Sequence, residues 1–149
     1  MRGRREANSQ WPVANRVVKV SGADAKIKSF KDLVVWQEAV ALAALTYSLA
    51  KALPKSETHG FASQMQRAAV SIAANIAEGH GREQTKVFIQ FLRTAQGSLK
   101  ELETHLIIAE KVELVTNQQT GPLYDKCDAV GRMLRSLIRS LENWQSRNT

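Results

Sequence analysis

Apolar residues recur every three or four positions along most of this chain, a spacing that places them on one face of an α-helix. The pattern predicts four helices, over about 32–53, 61–78, 83–112 and 116–144. The predicted buried faces are Leu33, Trp36, Val40, Ala43, Tyr47 and Ala50 in the first helix, Phe88, Phe91, Leu92, Ala95, Leu99, Leu102, Leu106 and Ala109 in the third, and Cys127, Val130, Leu134, Leu137, Ile138, Leu141 and Trp144 in the fourth.

Capping and helix-breaking residues mark the ends of these helices. Ser29 and Asp32 have the spacing of a capping box before the first helix. Gly79 can adopt the left-handed conformation that closes a helix. Gly97, inside the third helix, is expected at a close contact with another helix. Pro122 leaves two alternatives: a fourth helix from about residue 116, or a short turn followed by a restart with proline in the first turn.

Four amphipathic helices joined by short loops predict an all-α fold, an antiparallel up-down-up-down four-helix bundle. The bundle should occupy residues 30–145, after a basic and disordered extension over 1–29 and before a frayed end at 146–149. The second predicted helix is shorter than the third and fourth. We therefore expect apolar surface to remain near one end and to be buried by self-association.

Charge and cysteine content narrow the class of protein. The 149 residues have a net charge of +7, of which residues 1–29 contribute +5 and the rest only +2, so the body itself is close to neutral. The single cysteine, Cys127, excludes an intramolecular disulfide and a cysteine-based zinc site, and it fits a reducing, cytoplasmic setting. We find no signal-peptide pattern and no apolar run of the ~18 residues that a membrane span requires.

A polar ridge follows the second helix among alanines and serines. Its members are spaced at four, four and three residues, which places them on one face. Two interpretations stay open: a structural network that locks helices or subunits together, or a pocket for nucleic acid or another ligand. The candidate network comprises Arg67, Ser71, Asn75, Glu78, Arg82 and Glu101.

Two rows of basic residues are candidates for contacts with nucleic-acid phosphates, whose neutralisation gives salt-dependent affinity. The candidates are Arg132, Arg135 and Arg139 on the fourth helix, Lys86, Arg93 and Lys100 on the third, and Arg2, Arg4 and Arg5 in the extension. The alternative is a solvated face, with Asp128 and Glu142 as partners of the arginines within the helix. Aromatic residues do not interleave with either row, so base stacking is not expected.

Patterns for catalysis or metal binding are missing from the sequence. A helical di-iron site needs Glu-x-x-His motifs, and none occurs. Glu101 and His105 are four residues apart and predict a surface ion pair. Cys127 lies on an apolar stripe, where a thiol acts as a small hydrophobic group. We therefore expect a protein that is not an enzyme and that has no cofactor and no metal.

Several motifs together resemble the bacterial four-helix bundle proteins encoded in intervening sequences of 23S ribosomal RNA genes. They cover about residues 30 to 142 and are Phe30-Lys-Asp-Leu-Val-Val-Trp36-Gln-Glu-Ala39, Gly60-Phe-Ala-Ser-Gln-Met-Gln-Arg67-Ala-Ala-Val-Ser-Ile72, Ala74-Asn-Ile-Ala-Glu-Gly79, Gly81-Arg82, Phe88-Ile-x-Phe-Leu92 and Ala95-x-Gly-Ser-Leu-x-Glu-Leu-Glu-Thr104. The long basic extension and Pro122 depart from the usual pattern of that family.

The resemblance implies a left-handed bundle that assembles as a ring, a homopentamer, in a family whose molecular function is not established. The chain is also similar to accessory proteins of diversity-generating retroelements, which bind nucleic acid and a reverse transcriptase. The leading hypothesis is a non-enzymatic, oligomeric protein that binds RNA, DNA or a nucleoprotein through phosphate contacts. The alternative is a protein–protein scaffold with no nucleic-acid role.

Overall fold

The computed structural model describes residues 27–148, which form four α-helices and two short 3-10 turns and contain no β-strand. The helices are α1 (Val34–Lys51), α2 (Phe61–Gly81), α3 (Thr85–Lys111) and α4 (Asn117–Arg147). The α1 and α3 helices each pack against both α2 and α4. The predicted all-helical fold of four packed helices is thus confirmed. Most of the predicted extension, residues 1–26, lies outside the described residues.

One continuous apolar core lies between the four helices. Because each buried leucine or isoleucine contributes about 1.5–3 kcal/mol to stability, this core dominates the folding energy. The largest fully buried side chains are Leu33, Leu42, Met65, Ile72, Ile76, Phe88, Leu92, Leu99, Leu102, Leu106, Leu134 and Leu141. The predicted buried faces of α3 and α4 are confirmed, apart from Phe91 and Trp144, which are only partly buried.

The predicted buried face of the first helix is confirmed for Leu33 and Ala50, which are buried, and in part for Trp36 and Ala43, which pack against the core, but it is wrong for Val40 and Tyr47. Val40 and Tyr47 are 40% and 45% exposed, whereas Val35, Ala39, Leu42, Thr46 and Leu49 are buried. Thr46 fits in the core because its hydroxyl donates a hydrogen bond to the carbonyl of Leu42 at 2.8 Å.

The capping box before α1 forms, but it caps a different element. The backbone N–H of Ser29 donates to the Asp32 carboxylate at 3.2 Å, and the N–H of Lys31 donates to the Ser29 hydroxyl at 3.2 Å. These bonds close the 3-10 turn Phe30–Asp32, and α1 starts only at Val34. Ile27, just before the turn, is buried in the core.

The roles predicted for Gly79 and Gly97 are both wrong. Gly79 does not close α2, which continues to Gly81, and the left-handed backbone falls instead at Glu83 (φ 56°). Gly97 is exposed, and a Cβ built there would meet nothing within 4 Å. The close helix contact lies at Gly79, which faces the Phe88 and Phe91 side chains of α3.

Pro122 lies inside a continuous α4, so a restart at the proline is wrong. Thr116 caps the helix: the N–H of Gln119 donates to the Thr116 hydroxyl at 3.3 Å, and the Gln119 side chain accepts from the Thr116 N–H at 2.8 Å. Pro122 has no N–H for the carbonyl of Gln118. Both residues are exposed, so water can satisfy that carbonyl and the helix tolerates the proline.

Candidate nucleic-acid interface

The arginine row on α4 lies on the face opposite the core. Cys127, Val130, Leu134 and Leu141 are buried, and the 3.6-residue period of the helix then turns the intervening positions outward. The outward positions include Arg132, Arg135 and Arg139, all of which are exposed.

The three arginines share one shallow groove of about 230 Å³. Its other lining residues are small and polar, namely Ser136, Ser140 and Asn143. Further along α4, the Arg147 side chain donates to the backbone carbonyl of Asn143 at 3.3 Å. The serines and the asparagine are not among the residues predicted from the sequence. Their spacing of four, four and three residues after Arg132 is the signal that places them on the same face.

Neither of the acidic residues expected to pair with this arginine row does so among the described residues. Glu142 accepts a hydrogen bond from the Arg93 guanidinium of α3 and forms an ion pair with it. Asp128 makes no ion pair within residues 27–148. The predicted intrahelical pairing is therefore wrong, and the groove keeps three cations without a carboxylate partner in the described structure.

The second basic row on α3 is largely neutralised. Arg93 pairs with Glu142, and Lys100 pairs with Glu103 at 3.1 Å. Lys86 is exposed and lacks an ion-pair partner in the part of the chain that the structure describes. These three residues thus offer fewer free charges than the α4 groove. Arg2, Arg4 and Arg5 fall outside the described residues.

The polar ridge of α2 divides into two groups. In the half-buried group, the Ser71 and Ser98 hydroxyls lie 2.8 Å apart across α2 and α3, and the Asn75 amide donates to the carbonyl and hydroxyl of Ser71 at 2.7 and 3.0 Å. In the exposed group, Arg82 pairs with Glu78 at 2.9 Å. The first group joins α2 to α3 through hydrogen bonds.

Arg67 and Glu101 are not brought into either group. Both are exposed and form no ion pair among the described residues. Arg67 instead lines a groove between α1 and α2 together with Tyr47, Ser63, Gln66, Val70 and Ser71. The guanidinium of Arg82 also lies over the ring of Phe91, 5.8 Å from its centroid.

His105 does not form the predicted ion pair with Glu101. Its ring stacks edge-on against Phe61, with 5.6 Å between the ring centroids, and its Nδ1 atom is buried without a hydrogen-bond partner in the described structure. The partly buried histidine therefore packs at the α2–α3 contact.

A polar contact that the sequence did not indicate joins the end of α3 to the start of α4. The Thr120 hydroxyl donates to the Glu110 carboxylate, and the Tyr124 hydroxyl lies near the same carboxylate. Burial, with a further contribution from Glu110, raises the pKa of Tyr124 to about 12. Because these residues lie on separate helices, spacing along the chain gives no signal for the contact.

The described residues offer no candidate for two other kinds of site. No group of three or more His, Cys, Asp or Glu side chains could hold a metal ion within residues 27–148. None of the four helices combines the length and the apolar character needed to cross a membrane.

The fold and the groove define an all-helical protein of four packed helices with an exposed arginine row. The sequence matches the 23S rRNA-intervening sequence protein family over residues 31–136, and the chain belongs to that family. A crystal structure of a protein of unknown function from the S23 ribosomal protein family of Bacteroides thetaiotaomicron is similar, with a TM-score of 0.66 and 25% identity. The likeness covers 70% of this chain and 98% of that one. No curated protein matches.

Proposed function

We propose that this chain is a non-enzymatic, self-associating cytoplasmic protein that binds nucleic acid through backbone phosphates. The observation that carries the proposal is the α4 groove, where Arg132, Arg135 and Arg139 lie together without a carboxylate partner among the described residues. A clustered guanidinium row binds phosphate oxygens in any sequence, since these contacts carry no base information. We also propose that the four helices form a left-handed bundle with up-down-up-down topology.

Fluorescence anisotropy with labelled RNA and DNA at several salt concentrations tests this function. The variant R132Q/R135Q/R139Q removes three charges from the groove. The matched control, K51Q/K55Q/K111Q, removes three exposed charges elsewhere. We expect the groove variant to lose most of the affinity and the control to keep most of it. Absence of binding at 50 mM salt, binding without a salt slope, or equal losses in both variants would overturn the proposal.

The basic extension needs a separate variant within the full chain. Ile27 is buried, and the backbone N–H groups of Lys28 and Ser29 donate to Asp32 at 2.8 and 3.2 Å, so deletion of residues 1–29 would damage the first turn. The substitution R2Q/R4Q/R5Q leaves that turn intact. A moderate loss of affinity is expected if the extension adds phosphate contacts to those of α4.

Exposed apolar side chains on α1 and α2 support the self-association part of the proposal. Val40, Tyr47 and Val70 are each at least 40% exposed. A second copy that covers them would remove this apolar area from water. Light scattering should give several times the 16.5 kDa chain mass, with a pentamer as the expected assembly. The variant Y47E/V70E should lower that mass, whereas a monomeric mass for the unchanged protein would refute self-association.

A protein–protein scaffold is the second candidate function. The same exposed apolar residues, on a body with little net charge, favour it. Its partner could be a nucleic-acid enzyme such as a reverse transcriptase. The variants separate the two functions: a scaffold should keep its protein partner in R132Q/R135Q/R139Q and lose it in Y47E/V70E.

A further inference from the structure

The chemical nature of the α4 groove restricts the form of nucleic acid that it suits. The groove offers three guanidinium groups and three small polar side chains, and no aromatic residue lines it. Along one continuous helix, Arg132 and Arg139 are separated by about 10 Å at 1.5 Å per residue. The backbone positions that carry the three arginines are therefore fixed along one helix.

Proteins that bind single strands combine charge with aromatic side chains, on which bases stack for about 1–3 kcal/mol each. The α4 groove has no such contribution. Tyr47, an exposed aromatic residue, lines the other groove, between α1 and α2. Binding at the α4 groove therefore depends on charge and on hydrogen bonds to the nucleic-acid backbone.

A duplex presents more charge to such a row than a single strand does. Double-stranded DNA carries one negative charge per about 1.7 Å of axis, against one per about 3.4 Å for each strand. A row of cations spaced along one helix gains the most electrostatic attraction where phosphates are dense. Serine and asparagine side chains, which line the same groove here, commonly donate hydrogen bonds to phosphate oxygens.

Acidic residues limit how far the contact can extend. The Arg93–Glu142 and Glu110–Thr120 contacts place the second half of α3 beside the first half of α4. That region carries five acidic residues against three lysines, one of which, Lys100, pairs with Glu103; the acidic residues are Glu101, Glu103, Glu110, Asp125 and Asp128, and the lysines are Lys100, Lys111 and Lys126. Its net negative charge favours phosphate contacts on the span from Arg132 to Arg147, about 22 Å of helix.

We infer that the α4 groove binds the phosphate backbone of a nucleic-acid duplex in preference to a single strand. The inference rests on the proposed function and sharpens it. Recognition depends on charge density and backbone shape, so duplex RNA and duplex DNA share the chemistry that the groove recognises.

The test compares four labelled 20-mers on the full chain: an RNA duplex, a DNA duplex, an oligo-U strand and an oligo-dT strand. We expect at least one duplex to bind about tenfold more tightly than its single strand at 50 mM salt. The two duplex arms show whether RNA or DNA is the source. In R132Q/R135Q/R139Q, the slope of log affinity against log salt for the duplex should fall by about 2.7, at about 0.9 per phosphate contact. The variant R132K/R135K/R139K keeps the charges and should keep the preference.

The outcomes separate the two claims. If none of the four ligands binds, the proposed function fails and the inference fails with it. If single strands bind as tightly as duplexes or more tightly, nucleic-acid binding stands and the duplex preference is overturned. If the duplex preference survives unchanged in R132Q/R135Q/R139Q, another surface carries it and the assignment to the α4 groove is overturned. Circular dichroism of each variant checks that the exposed substitutions leave the helices intact.

Discussion

Gly79 of α2 lies so close to Phe91 of α3 that a Cβ built on the glycine would stand 2.5 Å from the Phe91 Cβ. The same atom would be 3.0 Å from the Phe88 ring. Cβ atoms do not approach this closely, and the Phe91 Cβ moves only with its backbone. The distance between α2 and α3 at this level therefore requires glycine.

The substitution G79A should destabilise the protein by roughly 1–3 kcal/mol, the usual cost of overpacking. Alanine is otherwise the better helix former by about 0.5–1 kcal/mol, so the clash has to outweigh a favourable change in helix propensity. Urea denaturation followed by circular dichroism measures the difference in the free energy of unfolding.

The matched control is G97A, in the middle of α3. Nothing lies within 4 Å of a Cβ at Gly97, so the substitution should stabilise the protein by about 0.5–1 kcal/mol. Opposite signs for the two glycine-to-alanine changes are the expected result. Stabilisation by G79A would show that α2 and α3 can separate at no cost, contrary to the close contact.

Sequence periodicity located the buried face of α4 but only part of that of α1, for a physical reason. In α4, the arginines and the large apolar residues lie on different faces of the helix, so only one face can be buried. In α1, residues 39–45 are all apolar, so two stripes one position apart are almost equally hydrophobic. Packing against α2 and α4 then decides which stripe of α1 is buried, and the local sequence pattern does not indicate the choice.

The candidate site was predictable only in part, because ion pairs can form between residues that are distant in the sequence. Spacing alone placed Arg132, Arg135 and Arg139 on one face. It also suggested that Glu142 would pair with Arg139, three residues away. In the fold Glu142 pairs with Arg93 of α3, forty-nine positions earlier in the chain. Which charges remain free depends on contacts between helices.

His80 should make stability depend on pH below neutrality. The ring is buried against Phe88, with 5.7 Å between centroids, and burial lowers its pKa, although Glu83 and Asp32 act in the opposite direction. An unfolded histidine titrates near pH 6.5. As the pH falls below about 6.5, the unfolded chain binds a proton that the folded chain does not, so stability decreases until the folded pKa is reached.

The measurement is the free energy of unfolding at pH 7.5, 6.5 and 5.5 for the unchanged protein and for H80Q. Their difference isolates His80 from other groups, and its slope cannot exceed about 1.4 kcal/mol per pH unit for one proton. Asp32 does not interfere, because hydrogen bonds from the Lys28 and Ser29 N–H groups lower its pKa from 3.8, out of this window. Equal pH dependence in the two proteins would contradict a lowered pKa at His80.

Cys127 should be unreactive in the folded protein. It is 1% exposed, and burial, helped by Glu103 and Asp128, raises the pKa of its thiol to about 12. The thiolate that attacks disulfide reagents is then rare at pH 8. A chromogenic disulfide reagent should modify the native protein slowly and the urea-unfolded protein at once. In the control C127A/S146C, which carries one exposed thiol, fast native labelling is expected. Equally fast labelling of the unchanged protein would refute the burial of Cys127.

The Ser71–Ser98 hydrogen bond should appear as coupling between the two positions. The substitution S71A leaves the Ser98 hydroxyl without this partner, and S98A leaves the Ser71 hydroxyl with only the Asn75 amide, each at a cost of about 1 kcal/mol. The double substitution S71A/S98A removes both hydroxyls, so it should cost less than the two single changes together by about 0.5–1 kcal/mol. Asn75 keeps its 2.7 Å bond to the Ser71 carbonyl throughout.

Ser48, exposed on α1, provides the control S48A, for which a change within about 0.5 kcal/mol is expected. Strict additivity of the two single changes would mean that the hydroxyls do not stabilise the α2–α3 contact through one another.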